Sequence, residues 1–179
     1  MLIEVLLAQA FWLIGPAYAA NAFPPLAKGR KPVDFGKKIF GKRLLGDGKT
    51  IEGTAAGIIF GLFYGAVQML VQPYIPLVID GKALNLITIT PIIITLLVAG
   101  AILGDFIGSF IKRRLNLERG KSAPGMDQLG FLITAMLLTS LFVSINIYIW
   151  IALILLTPLI HWIANIIGFY FMKVKQTPW

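Results

Sequence analysis

The sequence predicts an all-α, polytopic membrane protein. It reads as a single membrane-embedded domain over residues 1–179, with five transmembrane helices, the N-terminus outside and the C-terminus cytoplasmic. Three observations carry this. Of the 179 residues, 58% are hydrophobic and only 13% charged, the composition of a chain whose solvent is mainly lipid. Five apolar runs, at 2–22, 53–71, 86–111, 129–143 and 147–172, approach or exceed the roughly 17–25 residues that a spanning helix needs. Of the 16 Lys and Arg residues, eight fall in 28–49, five in 112–121 and two in 173–175, leaving Lys82 elsewhere. Five spans put those three blocks on one side, as the positive-inside bias requires.

Composition also excludes. A net charge of +8 spread over a soluble surface would point to nucleic acid. Confined to loops, it points instead to anionic headgroups or phosphate-bearing substrates. With no cysteine there is no disulfide, thiolate metal site or redox switch. The first run lacks a basic region ahead of it and has Glu4 near its start, so it reads as a span of a multi-pass cell-membrane protein and not as a cleaved leader.

The first span contains Pro16 and ends on Tyr18 and Asn21, which either line a cavity or anchor the helix at the interface. The loop that follows is dense in glycine and charge: Pro24-Pro25, Lys28-Gly29-Arg30-Lys31-Pro32, Asp34-Phe35-Gly36-Lys37 and Gly46-Asp47-Gly48-Lys49-Thr50. Scattered lysines alone would satisfy a topological role; the ordered glycines with Asp34, Asp47 and Glu52 call for more. Gly48-Lys49-Thr50 resembles the end of a Walker A loop, but position 43 is Arg43 where that loop needs glycine, and no strand precedes it. A nucleotide-hydrolase fold is thereby excluded, while local phosphate binding remains. A helix starting near Thr50 would add unpaired N–H groups beside Lys49.

Gly53, Gly57, Gly61 and Gly65 recur along the second span, and Gly100, Gly104 and Gly108 along the third. Small residues at this spacing let membrane helices approach closely. The two stripes are expected to pack the second and third spans together, drawing Asp105 toward Lys49; the other use of either stripe is a homodimer face. The segment 72–85, with Pro73, Pro76 and Asp80-Gly81, reads as a loop.

The third span ends in Gly104-Asp105-Phe106-Ile107-Gly108-Ser109-Phe110-Ile111-Lys112-Arg113-Arg114. A carboxylate this near hydrocarbon is costly unless paired or bound to a cation. Asp105, Ser109 and Lys112 share one helical face and offer a metal ligand, a hydroxyl and a phosphate-binding ammonium. The plainer alternative is a basic anchor with one ion-paired Asp. After a charged stretch including Lys121, Pro124-Gly125 makes a turn and Asp127 opens the fourth span. Asp127 is either the N-cap of that helix or a second carboxylate beside Asp105, a pair able to hold Mg²⁺ together with substrate phosphates. Only Ser144-Ile145-Asn146 separates the fourth span from the fifth, in which His161 and Asn165 lie one turn apart after Pro158. A membrane His of this kind serves helix–helix hydrogen bonding or contacts substrate.

Ser109, Lys112-Arg113, Glu118-Arg119 and Pro124-Gly125 resemble part of the CDP-diacylglycerol synthase signature, although Gly125-Met126-Asp127-Gln128 replaces its Gly-His-Gly-Gly run. Asn21-Ala22-Phe23-Pro24, Asp34-Phe35-Gly36-Lys37, Gly46-Asp47-Gly48-Lys49-Thr50 and Asp127-Gln128-Leu129 look more like the archaeal counterparts, the CDP-archaeol synthases, over almost the whole chain. Gly130 stands where that pattern has an acid, which puts a third carboxylate there in doubt.

The resemblance implies CTP and an isoprenoid ether lipid phosphate, 2,3-di-O-geranylgeranylglycerol phosphate, as substrates, with CDP-unsaturated archaeol and pyrophosphate as products. On that reading Asp105 and Asp127 hold Mg²⁺ and act in catalysis with Lys112 and Ser109. Lys49, Thr50, Gly48, Asn21, Arg113 and Lys121 bind the nucleotide or phosphates. A CDP-alcohol phosphotransferase would need Asp-Gly followed by Ala-Arg, whereas Asp47-Gly48 leads into Lys-Thr. A small transporter would need polar residues tracking across the bilayer, and the acids and glycines gather at one face instead.

Overall fold

The computed structural model describes residues 3–76, 78–79, 81–117, 123 and 125–170. Five helices form a bundle: α1 (Ile3–Ala22), α2 (Ile51–Val71), α3 (Pro91–Arg114), α4 (Met126–Ser140) and α5 (Ile147–Tyr170). Four of them, α1, α2, α3 and α5, are long and apolar enough to cross a membrane. α4 has 15 residues and is therefore only about 22 Å long, short of a full span.

α3 begins five residues later than its apolar run. Thr90 caps it, accepting the Ile93 N–H at 3.4 Å, and Pro91 occupies the first turn, where a missing N–H costs nothing. The helix then runs on through Lys112, Arg113 and Arg114, cations that favour a helix C-terminus. The structure adds two short ribbons invisible to hydropathy: β1 (Lys38–Ile39) pairs with β2 (Lys42–Arg43), and β3 (Val78–Ile79) with β4 (Lys82–Ala83), both antiparallel.

The core is a seam of fully buried apolar side chains, among them Leu13, Ile14, Leu97, Leu132, Met136 and Leu153. Two polar contacts inside the bundle tie helices to one another. Gln68 Nε2 donates to the Trp12 carbonyl at 2.7 Å, and the Tyr18 and Thr157 hydroxyls lie 2.7 Å apart.

The glycine stripes pack the bundle, but not against each other. On α2, a Cβ at Gly61 would lie 2.6 Å from Val98 Cγ2 and at Gly65 2.5 Å from Ile94 Cγ2, while at Gly57 it would lie 2.6 Å from the Ala20 carbonyl oxygen. The α2 stripe therefore receives the branched residues of α3 on one side and α1 on the other. On α3, a Cβ at Gly100 would lie 2.5 Å from Ala135 Cα, and one at Gly104 would collide with the Gly130 carbonyl. The α3 stripe faces α4. α2 and α3 pack together as expected, through glycine on α2 and Ile94, Val98 and Ile102 on α3; what is corrected is the use of the α3 stripe, which serves α4 instead. Both stripes are covered within the chain, so neither is a free homodimer face.

Candidate functional site at the charged end of the bundle

α1 and α3 end, and α2 and α4 begin, at the same end of the bundle. The segment 23–50 folds there around a buried carboxylate. Residues 31–33 run beside 49–51, with Val33 N–H donating to the Lys49 carbonyl and Ile51 N–H to the Lys31 carbonyl, each at 2.8 Å. Asp34 accepts the N–H groups of Gly36, Leu45 and Gly46 at 3.1, 2.9 and 2.9 Å, and Arg43 Nη2 at 2.7 Å. Burial pushes the Asp34 carboxyl up. The Arg43 guanidinium and the N–H groups of Gly46, Leu45 and Gly36 outweigh that and hold it well below the usual carboxylate range. Arg43 also reaches Asp47 at 2.8 Å, and these carboxylates raise its own affinity for a proton.

Arg114, the last residue of α3, clamps the ribbon to the bundle. Its guanidinium donates to the Ile39 and Arg43 carbonyls at 2.6 Å each, and Lys42 Nζ returns a bond to the Arg114 carbonyl at 2.8 Å. Arg113 packs under Gly46: a Cβ there would lie 3.5 Å from Arg113 Cδ. The third cation of the run, Lys112, pairs with Asp127 at 2.5 Å. Three consecutive basic residues thus point to three tasks.

Thr50 is the N-cap of α2, its hydroxyl accepting the Gly53 N–H at 3.1 Å. The Ile51 and Gly53 N–H groups are therefore spent on the chain itself, which corrects the picture of an unpaired helix start beside Lys49. Lys49 Nζ pairs with Asp105 Oδ2, joining the segment before α2 to the C-terminal half of α3. One turn further on, Ser109 is buried on α3.

Asp127 is not the N-cap of α4. Gly125 takes that place, with φ 83°, and Asp127 lies inside the first turn. There its Oδ2 accepts the Ala123 N–H at 3.0 Å, while Oδ1 meets Lys112. Lys112 stands seven residues beyond Asp105 on α3, and each of the two acids is met by a different lysine. Lys121 lies outside the described residues, as does the Pro124 half of the expected turn.

A cavity of about 290 Å³ lies between α1, α4 and α5. Tyr18, Asn21, His161 and Asn165 line it together with Phe23 and Phe131, and His161 Nδ1 lies 3.3 Å from Asn165 Nδ2. Its wall is mainly apolar, which suits a hydrocarbon chain with a few polar groups at one end. The charged end can thus gather phosphates on Lys49, Lys112 and Arg113 with two carboxylates nearby. The Arg113 Nε is a buried donor with no acceptor among the described residues. A phosphate oxygen would satisfy it.

Residue pattern alone did not assign roles to Asp34, Arg43 or Arg114. The signal for Asp34 was present, since an acid directly before Phe35-Gly36 fits an Asx-type turn. The Arg114 clamp was hidden among three adjacent cations.

The sequence family described as "CarS-like: CDP-archaeol synthase" matches residues 2–179. The chain is 42% identical to the CDP-archaeol synthase of Pyrococcus furiosus over 172 residues, covering 96% of this chain and 97% of that one. It is 44% identical to that of Pyrococcus horikoshii, covering 97% of each, and 42% identical to that of Methanopyrus kandleri, covering 97% and 94%. Among solved structures, an intramembrane enzyme for archaeal membrane lipids biosynthesis superposes with a TM-score of 0.75 at 37% identity, over 89% of this chain and 94% of that one.

Proposed function

Because the chain belongs to the CDP-archaeol synthase family, we propose that it transfers the cytidylyl group of CTP to 2,3-di-O-geranylgeranylglycerol phosphate at the charged end of the bundle. In this reading the charged end faces the cytoplasm, where CTP is found, and pyrophosphate is released there. The observation that carries the reading is the Lys49–Asp105 pair, which brings a phosphate-binding cation and a membrane-edge acid to one place.

The lipid phosphate oxygen attacks the α-phosphorus, and the bond to pyrophosphate breaks. The attacking oxygen is already anionic at neutral pH, so no general base is required. Catalysis then rests on alignment and on neutralising phosphate charge. Lys49, Lys112 and Arg113 supply that neutralisation, with Arg113 donating its unused Nε–H to a phosphate oxygen. Gly48 leaves room beside Lys49 for the triphosphate, and Thr50 holds the start of α2 in register. Ser109 sits one turn from Asp105 to contact a phosphate. The cavity beyond Asn21 takes an isoprenoid chain entering sideways from the bilayer.

Mg²⁺ fits the donor set. No group of three or more Asp, Glu, His or Cys residues lies together among the described residues, so a closed protein cage is not what is offered. Asp105 and Asp127 instead match the usual Mg²⁺ mode of one or two carboxylates completed by substrate phosphates and water. When bound, the ion supplies further charge neutralisation on the phosphates.

The test is an assay with purified protein, the lipid phosphate and each of the four ribonucleoside triphosphates. Transfer from CTP, with dCTP the best analogue and loss of activity on chelation, is expected. Preference for ATP or GTP, or full activity in EDTA, would overturn the assignment.

A further inference from the structure

The β1–β2 ribbon carries two aromatic residues that its own fold does not ask for. Phe40, at the ribbon tip, is 93% exposed, and Phe35 is 73% exposed. Both are also in the left-handed region, with φ of 51° and 45°. That conformation suits Gly or Asn at such turns and disfavours a bulky side chain. Exposure to water and backbone conformation therefore both count against phenylalanine at these positions.

Their surroundings are cationic. Lys28, Arg30, Lys31, Lys37 and Lys38 are exposed, and none forms an ion pair among the described residues. The acids nearby are already engaged, Asp34 and Asp47 with Arg43, and Glu52 with the Lys31 N–H at 3.2 Å. The ribbon is also held firmly, by Arg114 at its backbone and Asp34 at its base, so its tip is presented and not merely loose. It is tethered at both ends to helices of spanning length, α1 and α2.

We propose that this ribbon is an interfacial anchor. Phe40 and Phe35 insert at the boundary between headgroups and acyl chains of the membrane that the chain itself spans. Lys28, Arg30, Lys31, Lys37 and Lys38 contact anionic headgroups. The occupant follows from charge complementarity and from continuity with the spanning helices. Apolar aromatic and basic groups together are what the interface retains. The anchor holds the charged loop flat against the membrane, so that a membrane-bound phosphate meets Lys49 without leaving the lipid layer. That last consequence rests on the proposed function; the anchor itself does not.

The chain has no cysteine, so Phe40→Cys gives a single labelling site for an environment-sensitive fluorophore. The labelled protein is reconstituted into vesicles of phosphatidylcholine alone or mixed with phosphatidylglycerol. The expected result is a blue-shifted emission, larger with phosphatidylglycerol. It is quenched by lipids carrying a nitroxide near the headgroup and spared by aqueous iodide. Changing Lys37 and Lys38 to Gln should remove the phosphatidylglycerol increment. Phe35→Cys is read in the same way and stands in if the first variant does not reconstitute. Quenching by iodide but not by nitroxide lipid would place the tip in water and overturn the proposal. Protection from both quenchers would place it against protein, such as a second copy, and overturn it equally. Neither readout needs catalytic turnover, so failure here is distinct from failure of the proposed reaction.

Discussion

Two connecting segments of this chain are built alike and differ in what they reach. Residues 23–50, between α1 and α2, and residues 72–90, between α2 and α3, each contain a 3₁₀ turn and a two-residue antiparallel ribbon. The second segment is closed by neutral contacts. Gln72 Oε1 accepts the Ile89 N–H at 2.6 Å, Gln9 Nε2 donates to the Leu84 carbonyl at 2.8 Å, and Trp12 Nε1 to the Ile87 carbonyl at 3.1 Å. Its ion pair, Lys82 with Glu4 at 3.6 Å, is solvent-exposed, a kind worth little. The first segment instead spends charge: Arg43 on Asp34, Arg114 on the ribbon, and Lys49 on a carboxylate of α3. A ribbon between spans therefore does not by itself mark the site of the reaction. On the proposed reading, the site belongs to the segment whose cation reaches an acid of α3.

The comparison can be broken by variants on either side of it. The largest effect is expected at Asp105. Asp105→Asn should lower the rate of cytidylyl transfer by roughly 10²–10³, the usual cost of one electrostatic catalytic group, with the unfolding temperature unchanged. Near wild-type turnover of the folded variant would remove Asp105 from the site.

Next comes Gly104→Leu, which touches no charge. The new side chain would meet the Gly130 backbone and force α3 from α4, at a cost of about 1–3 kcal/mol or more, with activity falling as Lys112 parts from Asp127. An unchanged melting curve would mean that α3 and α4 do not pack as described.

Asp127→Asn should be milder. Asn can still accept the Ala123 N–H, but it loses the charge opposite Lys112. A raised Mg²⁺ requirement with a smaller loss of rate than at Asp105 is expected, measured by metal titration. Unchanged metal dependence would leave Asp127 a purely structural residue.

Asp34 sharpens the comparison through pH. Its folded carboxyl lies well below the usual range, while in the unfolded loop it sits near about 4. A depressed folded value contributes stability above the unfolded value, and that contribution is lost as pH falls below it toward the folded one. Hydrogen exchange at the Leu45 and Gly46 amides should therefore accelerate, relative to its intrinsic rate, below about pH 4, and Asp34→Asn should abolish that dependence. On the other side of the bundle, Gln72→Ala should cost about 1 kcal/mol of stability and leave the rate of transfer unaltered.

Much of this was legible in the residues, and the rest was not for physical reasons. Apolar runs located the helices because each must satisfy its own backbone in lipid. Asp105, Lys49, Lys112 and Asp127 stood out because charge at a membrane edge needs a partner, and each has one here. Which lysine meets which acid was not legible, since it depends on how helices rotate. The glycine stripes show the same limit: spacing says that something packs closely, and only the rotation of α3 decides that it is α4. The start of α3 was misplaced because hydropathy does not register that Thr90-Pro91 opens a helix and that 86–90 lies outside it. The role of Asp34, although the residue itself stood out, and the ribbon were not assigned, because local hydrogen bonding in a charged loop leaves no periodic trace.

The central claim is that the first connecting segment and α3 form one site through Lys49 and Asp105. A double-mutant cycle on cytidylyl transfer, with Lys49→Ala, Asp105→Asn and the two combined, tests it most directly. The account expects strong coupling, the combined variant being no slower than the slower single variant. Losses that simply multiply, as for two independent positions, would contradict it.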